Sequence, residues 1–244
     1  MPIRLHINID HVATVRNARG TRYPDPIEAA LVCERASADG ITAHLREDRR
    51  HMVDRDIERL RDTVLTTLNL EMAATDEMIG IAERIHPNVI TVVPERREER
   101  TTEGGLDVVG QKEKLAKIVK RARTAGIKVS FFIAPDEAQV RASKELQVEQ
   151  VELHTGEFCN ASGSAQQKEL ERLRSAARLG HELGLEIAAG HGLNRSNVID
   201  VAAIPEIIEF NIGHAVIADA IFMGLADAVG AMREAILRGV RHRA

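Results

Sequence analysis

Six short apolar segments of the chain each end in polar or ionisable residues that can bind ligands and transfer protons. The residues that close these segments are Asn8–His11, Thr42–Arg46, Asn69–Met72, Glu152–His154, Gly190–Gly192 and Asn211–His214. Histidine titrates near neutral pH and can act as an acid and then as a base, and a carboxyl group withdrawn from water has a raised pKa. We therefore expect His44, Glu71 and His191 to carry protons. Glu152 is the candidate for stabilising a developing positive charge.

Glycine and arginine near the same segment ends predict that the site binds anions. The segments Gly190-His191-Gly192 and Gly213-His214 place glycine beside histidine, and glycine lets backbone N–H groups approach a phosphate closely. A second group of basic residues consists of Arg16, Arg19, Arg46, Arg49, Arg50 and His51. Thr101–Gly105 is a third polar segment. Separate anion sites would suit two phosphorylated substrates.

The positions of the lysines and cysteines argue against several other chemistries. None of the lysines lies at the carboxyl end of an apolar segment, so any imine nitrogen must come from a substrate and not from a lysine. Cys33 and Cys159 are far apart and form neither a zinc motif nor a disulfide framework. The residues that could converge on a metal ion are Asp10, His11, Glu71 and His191. The chain has no compact ligand motif such as HExxH, so a metal is not the favoured interpretation, although these residues leave one open.

Composition excludes several classes of partner. Hydrophobic residues make up 44% of the 244 positions, which is enough for a sizeable core, and the net charge of −4 leaves no basic face for nucleic acid. Aromatic residues make up only 2%, although single-stranded nucleic acid is usually bound by aromatic stacking. No segment approaches the ~20 apolar residues of a membrane span, and the first residues lack the apolar core of a signal peptide. We therefore expect a cytoplasmic protein with no membrane partner.

Apolar segments alternate with segments of helical periodicity, which predicts parallel strands joined by right-handed crossovers. The predicted strands are 3–9, 40–45, 67–72, 88–93, 127–133, 149–154, 185–189 and 207–212. The predicted helices start with one at Pro26, after Asp25 as N-cap, and continue over 53–65, 75–86, 111–125, 136–145, 165–183 and 195–203. The last two segments are a predicted short turn at 215–222 and a predicted terminal helix at 226–240. Long loops are predicted at 10–24, 46–53, 94–110 and 155–164. With no linker in the sequence, we expect residues 1–244 to form one (β/α)8 TIM barrel, for which about 250 residues are typical.

Alternation within the strands predicts which side chains face the barrel interior. Successive side chains of a strand point to opposite faces, and the face packed against amphipathic helices must be apolar. The polar set then points inward and consists of His6, Asn8, His44, Glu71, Glu152 and Asn211. Such a lining suits a polar substrate, although a buried hydrogen-bond network that only holds the barrel together would give the same pattern.

Taken together, these segments resemble the pyridoxine 5′-phosphate synthase family. The resemblance rests on Asn8–His11, Arg16–Thr21, His44–His51, Asn69–Met72, Thr101–Asp107, Glu152–Gly156, Ala189–Leu193 and Asn211–Ala215, in the family's order. It implies a TIM barrel with extra helices and a homo-octamer. It also implies a cofactor-free condensation of 3-amino-2-oxopropyl phosphate with 1-deoxy-D-xylulose 5-phosphate, which gives pyridoxine 5′-phosphate, inorganic phosphate and water.

The resemblance also implies a role for each matching residue. His44 and Glu71 would be proton acceptors, His191 a proton donor, and Glu152 would stabilise a transition state. The residues that would hold the aminoketone phosphate are Asn8, Arg19, Gly192, Gly213 and His214. Those that would hold the deoxyxylulose phosphate are Asp10, His11, Arg46, His51 and Thr101.

Two other functions fit the same residues. A metal-dependent aldolase or epimerase acting on sugar phosphates would need similar acid, base and anion-binding groups. A non-catalytic sensor of phosphorylated metabolites would need only the anion-binding groups. Inhibition by a chelator would favour the aldolase or epimerase, and tight binding without turnover would favour the sensor.

Overall fold

The strands form one closed parallel barrel in the computed structural model, which describes residues 3–95 and 104–243. They are β1 Arg4–Asn8, β2 Gly40–His44, β3 Thr67–Met72, β4 Val89–Val92, β5 Lys128–Ile133, β6 Gln150–His154, β7 Glu186–Gly190 and β8 Ile207–Ile212. Their order around the barrel follows the sequence, and β1 closes the ring by pairing with β8. The TIM-barrel prediction is confirmed, and every strand ends within about one residue of its predicted position.

Helices surround this barrel along the described parts of the chain. They are α1 Asp10–Arg19, α2 Pro26–Arg35, α3 Asp54–Thr63, α4 Asp76–Ile85, α5 Lys112–Thr124, α6 Glu137–Glu145, α7 Gly156–Asn160, α8 Gly163–Glu182, α9 Val198–Ala202, α10 His214–Met223 and α11 Leu225–Val240. Two helices instead of one follow each of β1, β6 and β8, which confirms the extra helices. None of the helices described is long and apolar enough to cross a lipid bilayer.

Two of the predicted long loops contain helices, so this part of the prediction was wrong. The segment 10–24 begins with α1, and the segment 155–164 contains the short helix α7. The ten residues of α1 bury only Asp10, Val12 and Ala13, so the sequence lacks the apolar stripe by which a helix is usually recognised. This helix lies at the carboxyl end of β1, where its first turn contributes to the site described below.

Local sequence determines where the first crossover helix begins. The Asp25 side chain accepts a hydrogen bond from the backbone N–H of Ile27 at 3.0 Å, and Pro26 occupies the first helical position. A side chain that caps a helix in this way typically contributes about 1 kcal/mol, and proline at the first position costs no hydrogen bond. The predicted start of α2 is therefore confirmed.

The two faces of the strands differ as predicted. Aliphatic side chains such as Ile7, Ile41 and Leu68 are fully buried between the barrel and the helices. Inside the barrel, the Thr42 hydroxyl donates to Asn211 Oδ1 at 2.8 Å, and the Thr91 hydroxyl donates to a second interior amide at 2.9 Å. A hydrogen-bonded polar layer thus holds the strands together beneath the carboxyl end, and the groups above it remain available for a ligand.

Candidate active site

A cavity of about 820 Å³ opens at the carboxyl ends of the strands. Its polar lining residues are Asn8, Asp10, His11, His44, Arg46, Glu71, Glu152, His154, Glu157, His191, Asn194, Asn211 and His214. Nearly every strand contributes to the wall directly or through the loop that follows it. This is the face where TIM barrels hold their chemistry.

Most of the candidate site residues line this cavity. The structure brings together Asn8, Asp10, His11, His44, Arg46, Glu71, Glu152, His191, Gly192, Gly213 and His214. Arg19 does not join them, because it lies exposed at the far end of α1. His51 lies just behind the wall, with its ring centroid 6.0 Å from that of His44. Thr101 lies outside the described residues.

His44 lies between two carboxylates. Its Nε2 atom is 3.0 Å from Glu95 Oε1, and its Nδ1 atom is 3.9 Å from Glu71 Oε2. The backbone N–H of His44 also donates to Asp10 Oδ1 at 2.9 Å. Burial lowers the pKa of His44, but the hydrogen bond with Glu95 and the charge of Glu71 outweigh burial and raise it overall.

Glu71 and Asp10 are both poised to exchange protons near neutral pH. Burial raises the pKa of Glu71 to about 7, with a further rise from Asp10 that the charge of His44 only partly offsets. Burial also raises the pKa of Asp10 to about 6 against the lowering effect of His44. A base whose pKa lies near the working pH is the most effective proton acceptor, so Glu71 is suited to this role.

Glu152 is the most deeply withdrawn carboxyl group of the cavity. It is 2% exposed, and its Oε2 atom accepts a hydrogen bond from Asn211 Nδ2 at 2.9 Å. Burial and the nearby carboxyl groups of Glu71 and Glu209 raise its pKa well above the usual value. A cation that forms close to Glu152 would favour ionisation of this group and would be stabilised by it.

Histidines form two pairs on opposite parts of the cavity wall. The rings of His11 and His214 are 5.0 Å apart at the first turns of α1 and α10. The rings of His154 and His191 are also 5.0 Å apart, beside Phe132. The first pair thus lies where two helix N-termini present unpaired N–H groups, the feature on which anion-binding sites are built.

The arginines of the predicted basic group divide into two sets. Arg16 binds Asp56 through two hydrogen bonds of 2.8 Å, and Arg49 and Arg50 pair with Asp54 and Asp48. These cations are engaged by carboxylates away from the cavity. Arg46 alone among this group lines the cavity, so it is the cation best placed to meet a substrate phosphate.

Sequence reasoning missed Glu95 and did not nominate His154. Glu95 follows β4 within a segment predicted as a loop, and its side chain is only 3% exposed. His154 ends β6, two residues after Glu152, and therefore faces the same side of the strand. The strand parity that selected Glu152 was sufficient to find His154, whereas Glu95 can be recognised only through its contact with His44.

Within residues 3–95 and 104–243, one group of side chains could hold a metal ion. Ligand atoms of Asp10, His44 and His51 lie within 4.8 Å of one another. Burial lowers the pKa of His51 to about 4, helped by the nearby charge of His44, so this ring is neutral at pH 7 and able to bind a metal. This set shares only Asp10 with the residues that the sequence suggested could converge on a metal, which also included His11, Glu71 and His191.

A parallel eight-stranded barrel whose carboxyl end gathers titratable side chains in one cavity has the architecture of a TIM-barrel enzyme. Residues 5–238 match the model of the family described as pyridoxal phosphate biosynthesis protein PdxJ, and the chain belongs to this family.

Relatives named pyridoxine 5′-phosphate synthase cover almost the whole chain. The protein of Xanthobacter autotrophicus is 54% identical over 98% of this chain and 94% of its own length. That of Photobacterium profundum is 55% identical over 96% of this chain and 97% of its own length. That of Rhodospirillum rubrum is 56% identical over 97% of both.

Solved structures of other enzymes share the fold at low sequence identity. KGPDC from Streptococcus mutans has a TM-score of 0.68 at 13% identity and covers 98% of this chain and 99% of its own. The 3-keto-L-gulonate-6-phosphate decarboxylase of Vibrio cholerae has a TM-score of 0.65 at 17% identity, over 97% and 98% of the two chains. These similarities support the barrel and carry nothing about the reaction.

Proposed function

We propose that the cavity is the place where this chain condenses 3-amino-2-oxopropyl phosphate with 1-deoxy-D-xylulose 5-phosphate. Membership of the family makes the chain an enzyme of vitamin B6 biosynthesis, a pyridoxine 5′-phosphate synthase. The observation that carries the proposal is the placement of His44 and Glu71 in the same cavity as two helix N-termini. Ring closure with successive losses of water and phosphate needs both acid–base groups and anion-binding groups.

The proton acceptors and the proton donor lie on different sides of the cavity. His44 and Glu71 accept protons, since they adjoin each other and the pKa of Glu71 lies near neutrality. His191 stands on the other side of the cavity, beside His154, and donates a proton to a leaving group. Glu152 stabilises the positive charge that develops when the substrate amine joins a carbonyl carbon.

The anion-binding groups suit two phosphorylated substrates. The first turn of α10, with Gly213 and His214, binds the phosphate of the aminoketone together with Asn8 and Gly192. Asp10, His11 and Arg46 bind the deoxyxylulose phosphate, with His51 behind them. Arg19, which lies exposed at the far end of α1, and Thr101, which is outside the described residues, belong to the same proposal through the family resemblance.

We also propose the finer properties that the family resemblance implies. The chain works as a single catalytic domain over residues 1–244, without a cofactor, in the cytoplasm and as a homo-octamer. Ile221 and Phe222, at the end of α10, are 75% and 89% exposed, and this apolar surface suits contact with another copy.

The experiment that tests the function also tests the requirement for a metal. Purified protein is mixed with both substrates in excess EDTA, and pyridoxine 5′-phosphate is followed by its absorbance alongside the release of phosphate. We expect both products at the rate measured without EDTA. EDTA would remove any metal ion bound by Asp10, His44 and His51. Loss of activity in EDTA would therefore favour a metal-dependent aldolase or epimerase. Binding of both substrates without product would favour a sensor.

Arg46→Ala is expected to raise the KM for 1-deoxy-D-xylulose 5-phosphate by about 10-fold or more with a smaller change in kcat, because a charge-assisted hydrogen bond contributes about 1.5–3 kcal/mol. Steady-state kinetics with each substrate varied in turn measure the effect. Arg50→Ala is the matched control, since Arg50 lies in the same segment but is exposed and pairs with Asp48. Equal KM values in both variants would remove Arg46 from the substrate site.

A further inference from the structure

Glu95 is a buried carboxylate that neither the sequence analysis nor the proposed function assigns to a task. It follows β4 by three residues, and its side chain is only 3% exposed. A buried carboxylate costs free energy unless charged or hydrogen-bonding partners compensate for the lost water. Its partners therefore indicate why the fold places it there.

The first partner is the ring of His44, whose Nε2 atom lies 3.0 Å from Glu95 Oε1. An ionised carboxylate can only accept hydrogen bonds, so the proton of a neutral imidazole in this contact is on Nε2. The Nδ1 atom then keeps its lone pair. Nδ1 is also the atom directed toward Glu71, with 3.9 Å between Nδ1 and Glu71 Oε2.

The second group of partners lies on the segment that follows β2. Glu95 Oε2 accepts a hydrogen bond from the backbone N–H of Glu47 at 3.1 Å and lies 3.6 Å from the Arg46 guanidinium. One carboxylate thus holds both the histidine of β2 and the cation that follows it. Because Glu95 is itself fixed by Glu47 and Arg46, its hydrogen bond with Nε2 leaves the His44 ring little freedom to rotate.

The charge of Glu95 is maintained by these contacts. Burial raises the pKa of Glu95, but the hydrogen bond and charge of His44 outweigh burial and lower it overall. Glu95 is therefore ionised at neutral pH. Glu71, whose pKa is raised to about 7, exchanges its proton far more readily. The two carboxylates beside His44 are accordingly unequal.

We propose that Glu95 is a positioning residue that holds the neutral His44 ring with its proton on Nε2, so that Nδ1 is the atom that accepts the proton during catalysis. When a substrate X–H bond breaks and leaves its electron pair on the substrate, the proton forms the Nδ1–H bond and the ring becomes an imidazolium. The charges of Glu95 and of Glu71, 3.9 Å from Nδ1, stabilise that cation until the ring releases the proton. Glu95 itself neither gains nor loses a proton. The catalytic part of this inference rests on the proposed function.

The tautomer is tested on the wild-type chain without any assay of activity. Histidine labelled with 15N distinguishes a protonated ring nitrogen from an unprotonated one, and the His44 signals are assigned by their loss in His44→Gln. At a pH at which the ring is neutral, we expect the proton on Nε2. A ring with its proton on Nδ1 would overturn the proposal, whatever the enzyme catalyses.

Glu95→Gln tests the consequence for catalysis. The amide has no charge and can donate a hydrogen bond to Nε2, so the tautomer is no longer fixed and the pKa of His44 falls. We expect kcat to fall by about 10- to 100-fold, the usual effect of losing a group that orients a functional histidine. The NMR titration of His44 should move to lower pH at the same time.

Asp48→Asn is the matched control, because Asp48 is an exposed carboxylate 3.2 Å from the Arg46 guanidinium. It removes a charge near the same arginine without touching His44, and we expect wild-type kcat and tautomer. Wild-type kcat and an unchanged His44 titration in Glu95→Gln would contradict the proposal. Wild-type protein that makes no product would instead contradict the proposed function, and the NMR result on the tautomer would still stand.

Discussion

Glu71→Gln is expected to lower kcat by about 100-fold or more, which is the scale for loss of a positioned base. The amide keeps the shape of the side chain and can still accept the hydrogen bond that Asn8 Nδ2 donates to Glu71 Oε2 at 3.2 Å. It cannot accept a proton. Steady-state kinetics with both substrates saturating therefore measure the loss of proton transfer separately from the loss of substrate binding.

The same residue predicts how activity depends on pH. Because Glu71 must be ionised to accept a proton and burial raises its pKa to about 7, kcat of the wild-type chain should rise as pH increases through that value. The residual activity of Glu71→Gln should lack this rise. A pH profile that is the same in both proteins would show that another group controls it.

The contribution of Glu71 to the stability of the wild-type chain should fall over the pH range in which its contribution to activity rises. In the unfolded chain Glu71 ionises near its ordinary pKa of 4.5, whereas in the folded chain it ionises only near 7. Between these values the folded state holds a proton that the unfolded state has lost, so this group's contribution to stability declines as pH rises. Glutamine avoids that decline, so the stability of the variant relative to wild type should increase by on the order of 2–3 kcal/mol between pH 5 and pH 8.

Urea unfolding at pH 5 and pH 8 measures this difference, and Glu77→Gln is the matched control. Glu77 is exposed and pairs with Arg49 at 2.6 Å on the surface. Its replacement should leave both kcat and the pH dependence of unfolding close to wild type. If Glu71→Gln were inactive and also less stable at both pH values, its loss of activity would reflect damage to the fold.

The barrel could be predicted from sequence because its strands carry a strong local signal. The strand Ile207–Ile212 combines an apolar helix-facing side with the inward-facing Glu209 and Asn211, and both its ends match the prediction. The inward face of such strands also identified Glu71, Glu152 and most of the cavity. Periodicity succeeds here because the two faces of a barrel strand meet different surroundings.

The parts that were missed depend on contacts that periodicity does not report. α1 shows no clear apolar stripe, and Arg16 within it pairs with Asp56, which is 40 residues away in sequence. Glu95 meets His44 across a separation of 51 residues. Ionic partners at such distances are fixed by the closed barrel and not by neighbouring residues, so a basic or acidic residue in a loop gives no sign of its partner.

His191→Gly is expected to remove activity while leaving the fold intact. His191 has a φ of 80°, in the left-handed region that favours glycine, and its carbonyl oxygen lies 2.6 Å from the Thr155 hydroxyl. Such a conformation costs a non-glycine residue of order 1–3 kcal/mol. A residue kept there at this cost points to a task for the side chain, which is exposed at the cavity.

Glycine relieves the backbone strain, which stabilises the folded chain. It also has more conformational freedom in the unfolded chain, which destabilises the fold by about 0.4–1 kcal/mol. We therefore expect the free energy of unfolding to stay within about 1 kcal/mol of wild type or to increase, while kcat falls by about 100-fold or more for want of the proton donor. Urea unfolding and steady-state kinetics on the same preparation measure both quantities.

Gln147→Gly provides the comparison, because Gln147 also has a positive φ, of 62°, but lies after α6 and away from the cavity. Its replacement should preserve kcat and change stability in a similar way. If His191→Gly kept wild-type kcat, the strained histidine would have no role in proton transfer. If His191→Gly were inactive and also strongly destabilised, the loss of activity would show that His191 supports the structure of the loop between β7 and α9, and not that it donates a proton. If His191→Gly loses turnover but keeps the stability of the wild-type fold, the imidazole of His191 is needed for catalysis, and this need explains why a strained non-glycine residue occupies the position.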